Sequence, residues 1–307
     1  MAYKSRYCSF SVVAIAFLTA ATAVAFAEGQ NGDQTRDFHW TGKLSPDQIV
    51  EIKNLNGKIE ARGDSSIDQV EVTAEKSGPD ADEVKIDVVP NAAGVTICAI
   101  YPHGSTGPCE PGDKWHVDNH NNKARVDFTV RIPTNLRFAA TSINGSVTAE
   151  NMGRFVRADS VNGSVRVSTK QWAELSSVNG SIDATMGSAD WTGTLKISTV
   201  NGSIELRMPS ELNADVRFSS VNGRLTSDFP LTMSGHFGGR RVEGRIGNGG
   251  RELVVDTVNG SEAREHIDQL SRKYVGTDYQ PPVGPQGRVI LKVAPDKVNT
   301  PRSLGRR

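Results

Sequence analysis

The sequence has few aromatic residues, few cysteines and no excess of charge of either sign. Phe, Trp and Tyr make up 6% of the 307 residues, and 35 Lys and Arg balance 35 Asp and Glu. A chain without a concentrated basic face gives no support for nucleic-acid binding. A Gly-x-Ser-x-Gly elbow, a phosphate-binding loop and a zinc-protease motif are also absent from it, so the common sequence signatures of enzymes are missing.

Long apolar runs are absent too, except at the N-terminus. Lys4 and Arg6 precede an uncharged run over residues 11–27, which ends in Ala25-Phe26-Ala27. This is the pattern of a signal peptide, here residues 1–27. A membrane span needs about 20 strongly apolar residues, so cleavage is favoured over an uncleaved anchor. We expect an exported protein, periplasmic, extracellular or on the cell surface, with no transmembrane segment after cleavage.

Only two cysteines, Cys98 and Cys109, follow the predicted signal peptide. An even pair in an exported protein indicates a disulfide. Two free thiols and half of a metal site are the alternatives. Both cysteines lie in a polar stretch, about residues 77–125, which we interpret as an insertion.

The strongest signal is an internal repeat centred on Asn-Gly. Each copy is an alternating strand, an Asn-Gly corner and a second segment, and the full corner (S/T)-(V/I)-N-G-S-(V/I) recurs at Asn144, Asn162, Asn179 and Asn201; Asn248-Gly249 lies outside this frame. Period-two alternation indicates strands with one buried face. The predicted corner residues are Asn56, Gly57, Asn144, Gly145, Asn162, Gly163, Asn179, Gly180, Asn201, Gly202, Asn222, Gly223, Asn259 and Gly260.

Two folds fit these corners. In a hairpin meander, Asn-Gly forms a tight turn, because Gly takes positive φ without penalty and Asn tolerates the left-handed region. In a β-solenoid, corners stack on corners and asparagine side chains can bond to one another. The residue before Asn is Val161, Val178, Val200 or Val221, and only the solenoid turns it inward. We therefore predict an all-β, single-chain β-solenoid of repeated strand–Asn-Gly–strand units.

These repeats resemble an adhesin family of β-strand-repeat proteins, catalogued as domain of unknown function 4097. The stretches over residues 126–133 and 50–60 are similar to that family as well. The resemblance implies an exported, β-solenoid-like domain. It implies no catalytic residues, because the family has no established active-site motif.

The repeat sets the expected domain boundaries. We place the β-repeat domain at residues 38–262 and a basic C-terminal tail at 263–307. After Asn259-Gly260 the expected apolar positions are Glu262 and Arg264, so we expect stacking to stop there. One late strand is expected over residues 288–293.

Metal binding has one weak candidate. On an extended strand, His116, Asp118 and His120 point to one side. The alternative, which the neighbouring asparagines favour, is a polar loop. We expect no cofactor.

Sugar contact has two aromatic candidates, Trp172 and Trp191, which lie between successive corners. Exposed indoles act as stacking plates for sugars. The alternative is that each covers an edge of the apolar core.

A polysaccharide lyase or hydrolase would need clustered carboxylates. The outward column four residues after each Asn contains one adjacent pair, Asp183 and Glu205, beside Arg166. Alternating charge on neighbouring strands is also ordinary cross-strand pairing. We expect a non-catalytic envelope protein, an adhesin or binding scaffold that contacts polysaccharide or surface protein. A purely structural periplasmic protein is the other alternative, and the oligomeric state stays open.

Overall fold

The computed structural model of the protein describes residues 37–102, 104–106, 108–112, 117–119, 122–220, 224–234, 241–257 and 290–295. The predicted signal peptide, residues 1–27, lies outside these ranges. Within them the only helix is a short 3₁₀ turn, Ala81–Glu83. No helix of the described residues has the length and hydropathy of a membrane span. The all-β prediction is confirmed.

Strands make up the rest of the regular structure. They are β1 (Asp37–Gly42), β2 (Ile49–Asn56), β3 (Ile59–Asp64), β4 (Val70–Ser77), β5 (Lys85–Asn91), β6 (Gly94–Ile100), β7 (Gly104–Thr106), β8 (Val117–Asn119), β9 (Arg125–Pro133), β10 (Arg137–Asn144), β11 (Val147–Met152), β12 (Val156–Ser160), β13 (Val165–Thr169), β14 (Ala173–Asn179), β15 (Ile182–Met186), β16 (Thr194–Asn201), β17 (Ile204–Met208), β18 (Ala214–Ser220), β19 (Arg224–Ser227), β20 (Leu231–Ser234), β21 (Arg241–Ile246), β22 (Arg251–Thr257) and β23 (Ile290–Pro295).

Two long sheets contain nearly all of these strands. Sheet A has the order β1-β4-β9-β3-β11-β13-β15-β17-β23-β19. Sheet B has the order β20-β21-β18-β22-β16-β14-β12-β10-β2-β6-β5. The central strands of both sheets pair in parallel. We call one strand of each sheet at the same level of the stack a rung.

From β10 to β17, neighbouring rungs lie one sequence repeat apart. In sheet B, Ala158 pairs with Leu175, and Leu175 pairs with Ile197. In sheet A, Val165 pairs with Ile182, which pairs with Ile204. Side chains from both sheets form one buried cluster, so the period-two alternation of the sequence becomes a common core. Long parallel sheets of this kind are consistent with a β-solenoid-like fold.

The strands before and after a described corner belong to different sheets. Thus β10 lies in sheet B and β11 in sheet A, although only Gly145 and Ser146 separate them. These corners are therefore not hairpin turns. The side chains before the asparagines turn inward, as Val161, Val178 and Val200 are 4%, 1% and 2% exposed. Val221 lies outside the described residues.

The polar stretch over residues 77–125 is partly incorporated into the sheets. β6 pairs in parallel with β2, and β5 closes this end of sheet B by antiparallel pairing with β6. The apolar sequence of Gly94–Ile100 explains this, because all but its last residue are buried. Outside the two sheets lie the 3₁₀ turn Ala81–Glu83 and the small β7–β8 pair, which is in the connection between β6 and β9.

The far end of the stack differs from the sequence-based expectation. β22 lies between β16 and β18, and β23 lies between β17 and β19. A strand from beyond Asn259-Gly260 is therefore part of sheet A, whereas we expected stacking to stop there; the domain boundary at 262 stays a prediction. The polar segment directly after Asn259-Gly260 lies outside the described residues. Residues Ile290–Pro295 supply the sheet A strand of this rung.

Candidate binding surface

The corner asparagines form a continuous hydrogen-bonded ladder. The Nδ2 atom of each asparagine donates to Oδ1 of the asparagine one rung below. The four distances are 2.7 Å for Asn144 to Asn56, 2.9 Å for Asn162 to Asn144, 2.8 Å for Asn179 to Asn162 and 2.8 Å for Asn201 to Asn179. At the lower end, Nδ2 of Asn56 donates to the carbonyl of Ala124 over 3.3 Å.

We call these five side chains the asparagine ridge: Asn56, Asn144, Asn162, Asn179 and Asn201. Three of them are exposed, and Asn56 and Asn179 are half-buried. An amide has two N–H donors and two lone pairs on its oxygen. The ladder uses one of each, so the exposed amides of Asn144 and Asn162 each keep one donor and one lone pair for solvent or a ligand. Asn222 and Asn259 lie outside the described residues.

A row of serines runs beside the ridge, two residues after each of its asparagines except Asn56: Ser146, Ser164, Ser181 and Ser203. The main-chain nitrogens of Ser181 and Ser203 donate to Oγ of the serine one rung below, each over 3.3 Å. The hydroxyl of Ser203 also donates to that of Ser181 over 3.1 Å. Amides and hydroxyls therefore repeat side by side at the rung spacing of about 4.8 Å.

A second row of polar side chains fastens the corners from inside. These residues stand two positions before each asparagine and donate to the carbonyl of the corner glycine one rung below, over 2.8–3.0 Å. They are Ser142, Ser160, Ser177 and Thr199. Sequence analysis missed this role, although the Ser or Thr two positions before Asn144, Asn162, Asn179 and Asn201 was its signal.

The sequence analysis explained the corner glycines by their tolerance of positive φ, but the structure shows a different requirement. Only Gly57 among the described corner glycines has positive φ, at 123°. At the next corners, an added Cβ would overlap the backbone of the rung below: one at Gly163 would collide with the carbonyl oxygen of Gly145. Gly180 and Gly202 meet the same obstacle. Close approach of stacked backbones, not a left-handed conformation, excludes larger residues here.

The lower end of the ridge is sealed by buried polar contacts. The Oη atom of Tyr101 lies 2.8 Å from Oδ1 of Asn54 and 2.9 Å from the carbonyl oxygen of Asn56. Burial raises the pKa of the Tyr101 phenol above its usual value. The hydroxyl therefore stays neutral at physiological pH.

A disulfide holds the adjacent loop against sheet B. The Sγ atoms of Cys98 and Cys109 are 2.01 Å apart. Beyond it, Nζ of Lys53 donates to the carbonyls of Glu110 and Gly112 over 2.6 and 2.5 Å. Lys53 is 1% exposed, so the loop covers an outward-facing cation that sequence analysis did not single out.

The two tryptophans do not form a sugar platform. Trp191 is 2% exposed, and its Nε1 donates to the carbonyl of Glu252 over 3.0 Å. The expectation of glycan contact at Trp191 is therefore wrong: the indole fills the core. Trp172 is half-buried and packs on Phe155, with ring centroids 6.4 Å apart. A contact between Trp172 and sugar stays a prediction.

The carboxylates of Asp183 and Glu205 lie on neighbouring strands, as predicted. Both are bound by one guanidinium: Arg207 contacts Asp183 over 2.6 Å and Glu205 over 2.7 Å. Arg166 lies 4.0 Å from Asp183. The carboxylates therefore belong to a surface ion-pair network, an arrangement that satisfies cross-strand charge pairing.

The metal candidate is not tested by the structure. His116 and His120 lie outside the described residues, and of Asp118 only the backbone is described, in β8. Elsewhere in the described ranges, His, Cys, Asp and Glu form no group of three or more suited to a metal ion.

Stacked parallel strands with a polar corner ladder define an all-β repeat protein. The model of the family described as Toastrack DUF4097 matches residues 43–261. The chain belongs to this family, as the repeat resemblance predicted.

Two solved structures are similar over most of the chain. A proposed cell adhesion protein from Clostridium sporogenes ATCC 15579 is 9% identical, with a TM-score of 0.41, covering 84% of this chain and 100% of its own. A proposed adhesin from Bacteroides fragilis NCTC 9343 is 11% identical, with a TM-score of 0.36, covering 85% of this chain and 98% of its own. No curated protein matches the sequence.

Proposed function

We propose that this protein is an exported, non-catalytic β-solenoid of the cell envelope, and that its asparagine ridge binds extended polysaccharide. The observation that carries the proposal is the ladder itself, in which the described asparagines expose a row of amides fixed by hydrogen bonds of 2.7–2.9 Å. The repeat of strand, Asn-Gly corner and strand is what produces such a row.

Fixed amides favour binding because little side-chain freedom is lost on contact. Ordering a rotamer-rich side chain at an interface costs about 0.5–1.5 kcal/mol. The ladder has already restrained these amides before a ligand arrives. Asn144 and Asn162 then each offer one donor and one acceptor, which suits the hydroxyl and N-acetyl groups of a polysaccharide.

The regular spacing favours a polymer over a small molecule. Amides recur at the rung spacing of about 4.8 Å, and the serine row repeats beside them. Many weak, equivalent contacts along one polymer give avidity without a deep pocket. A surface protein is the alternative partner, and its binding would be expected to depend on more than the ridge.

Two other functions compete with this proposal. In a purely structural protein, the ladder would serve only to stabilise the stack. In a polysaccharide lyase or hydrolase, Asp183 and Glu205 would act on the polymer. The contact of both carboxylates with Arg207 favours an ion-pair role over proton transfer.

Binding to a panel of envelope polysaccharides, including N-acetylated and non-acetylated polymers, tests the proposal. We expect the mature protein to bind at least one polymer, and Asn144→Ala/Asn179→Ala to abolish that binding. The control is Thr185→Ala/Lys196→Ala, since both side chains lie on outer sheet faces away from the ridge. Wild-type protein that binds no polymer, or ridge and control variants that bind alike, would reject it. If the wild-type protein cleaves a polymer and Asp183→Asn abolishes the cleavage, the result would instead support a polysaccharide lyase or hydrolase.

A further inference from the structure

The ridge is built from the dipeptide most prone to spontaneous deamidation. In Asn-Gly, the glycine nitrogen loses its proton to solvent and attacks Cγ of the asparagine. The N–Cγ bond forms, the Cγ–Nδ2 bond breaks, and Nδ2 leaves as ammonia. Water then opens the resulting succinimide to aspartate or isoaspartate, without oxidation or reduction.

The corner geometry accounts for both residues of this dipeptide. The glycine is required because a Cβ at Gly145, Gly163, Gly180 or Gly202 would collide with the backbone one rung below. The asparagine fits because its amide both donates to and accepts from identical neighbours at the corner. Two structural requirements therefore place a reactive pair at every described corner.

The same contacts oppose the reaction. Attack requires the side chain to turn so that Cγ meets the glycine nitrogen. For Asn162 this movement breaks two bonds, one to Asn144 and one from Asn179. At Asn56 the glycine nitrogen is also engaged, as Gly57 donates to the carbonyl of Asn144 over 3.0 Å.

One described Asn-Gly pair lies outside the ladder. Asn248 is exposed in the turn after β21, and its side chain makes no hydrogen bond to the described residues. Among the described residues, the contacts that oppose attack here are made by main-chain nitrogens: that of Gly249 donates to the carbonyl of Ile246 over 3.1 Å, and that of Asn248 donates to Oδ1 of Asn213 over 2.7 Å.

We propose that Asn248 is the site of spontaneous deamidation among the described Asn-Gly pairs of the folded protein, and that the ladder protects the ridge asparagines. This inference is independent of the proposed binding function. An isoaspartate at Asn248 lengthens the main chain by one CH₂ beside Gly250, whose nitrogen donates to Asp215. Modification would therefore loosen this turn and leave the ridge intact.

Peptide mapping by mass spectrometry after incubation in mildly alkaline buffer tests the proposal on the mature protein. In the folded state we expect Asn248 to deamidate faster than Asn144, Asn162, Asn179 and Asn201, on the order of tenfold, since each of these must first break ladder hydrogen bonds. In urea the difference should vanish. Ridge asparagines that react as fast as Asn248 in the folded protein would overturn the proposal.

A single substitution separates protection by the ladder hydrogen bonds from protection by the folded state as a whole. Asn162→Ala removes the acceptor of Asn179, so deamidation at Asn179 should accelerate several-fold, while the rate at Asn248 stays unchanged. Lys170→Ala, at an exposed position off the ridge, is the control. Urea unfolding of both variants, run in parallel, identifies any acceleration caused by global unfolding, which would raise both rates. An unchanged rate at Asn179 in stably folded Asn162→Ala would contradict protection by the ladder.

Discussion

Asn162 donates a hydrogen bond from Nδ2 to Oδ1 of Asn144 over 2.9 Å, although the two residues are 18 positions apart in the chain. The bond exists because the parallel register places identical residues above one another. A carboxylate at either position has no hydrogen to donate, so an ionised aspartate cannot replace asparagine in the ladder although the two have nearly the same shape.

We therefore expect Asn162→Asp to destabilise the protein by about 1–3 kcal/mol at neutral pH, because it leaves a charged acceptor against the Oδ1 of Asn144. Acidification should restore part of the loss, since a protonated carboxyl can donate again. Urea unfolding across pH measures both effects. Asn248→Asp, outside the ladder, serves as the control and should show neither.

Gly163→Ala tests the close approach of the rungs. The new Cβ would overlap the carbonyl oxygen of Gly145, so the two rungs must separate, and we expect a loss of about 3 kcal/mol or more. Gly193→Ala is the comparison, because its Cβ meets nothing within 4 Å but its φ is 74°. That strain alone costs about 1 kcal/mol. Equal losses in thermal unfolding would contradict the close-approach explanation.

Trp191→Phe tests the structural role of this indole. The substitution removes the donor to the Glu252 carbonyl and leaves a small cavity, so we expect a loss of about 2–3 kcal/mol in chemical unfolding. Trp172→Phe, at a half-buried site, should cost less. A larger effect at Trp172 would show that the core depends on the other tryptophan.

Removing the disulfide tests whether it keeps the loop docked over Lys53. Cys98→Ala/Cys109→Ala should lower the free energy of unfolding by about 2–3 kcal/mol, because a short closed loop no longer restricts the unfolded chain. With the loop released, Lys53 should become reactive towards an amine-acylating reagent, as detected by mass spectrometry. The exposed Lys170 should react equally in both proteins. Continued protection of Lys53 would mean that the loop stays docked without its disulfide.

Asp64 should contribute to acid stability. Hydrogen bonds from the Ser66 side chain and main chain, and then from Arg131, lower the pKa of this carboxyl from 3.8 to about 2. A lowered folded-state pKa stabilises the protein above about pH 4, and this contribution is lost as the pH falls towards 2. Asp64→Asn should therefore unfold at a higher pH during acid titration. Asp190→Asn, at a highly exposed carboxyl, is the control, and identical midpoints would argue against a role for Asp64.

The regular interior of this fold could be predicted from the sequence because the repeats share one pattern of alternating apolar and polar residues. Alternating residues mark the core face, and Val161, Val178 and Val200 before the asparagines indicated that parity breaks at the corner. The parallel register then follows from matching equal positions. The reason for the glycines was not readable, since backbone contact between rungs depends on residues far apart in sequence.

The ends of the stack were harder to predict. Gly94–Ile100 carries no Asn-Gly corner, so its place below β2 had no repeat signal. The insertion of β22 and β23 between earlier rungs reverses the order of the chain, and no local pattern encodes that. Trp191 illustrates a further limit, because the sequence around an aromatic residue between two corners does not predict whether its side chain faces solvent or the core.

This reversal of order limits how such a scaffold can grow. The rung of β22 and β23 is enclosed by strands made before it, so a repeat appended after residue 295 would find no free parallel edge beside its predecessor. Duplicating an interior unit, such as the one carrying β12 and β13, only pushes its neighbours apart by about 4.8 Å. Lengthening over evolution is thus confined to the middle of the gene, where each duplication would also add one amide to the ridge.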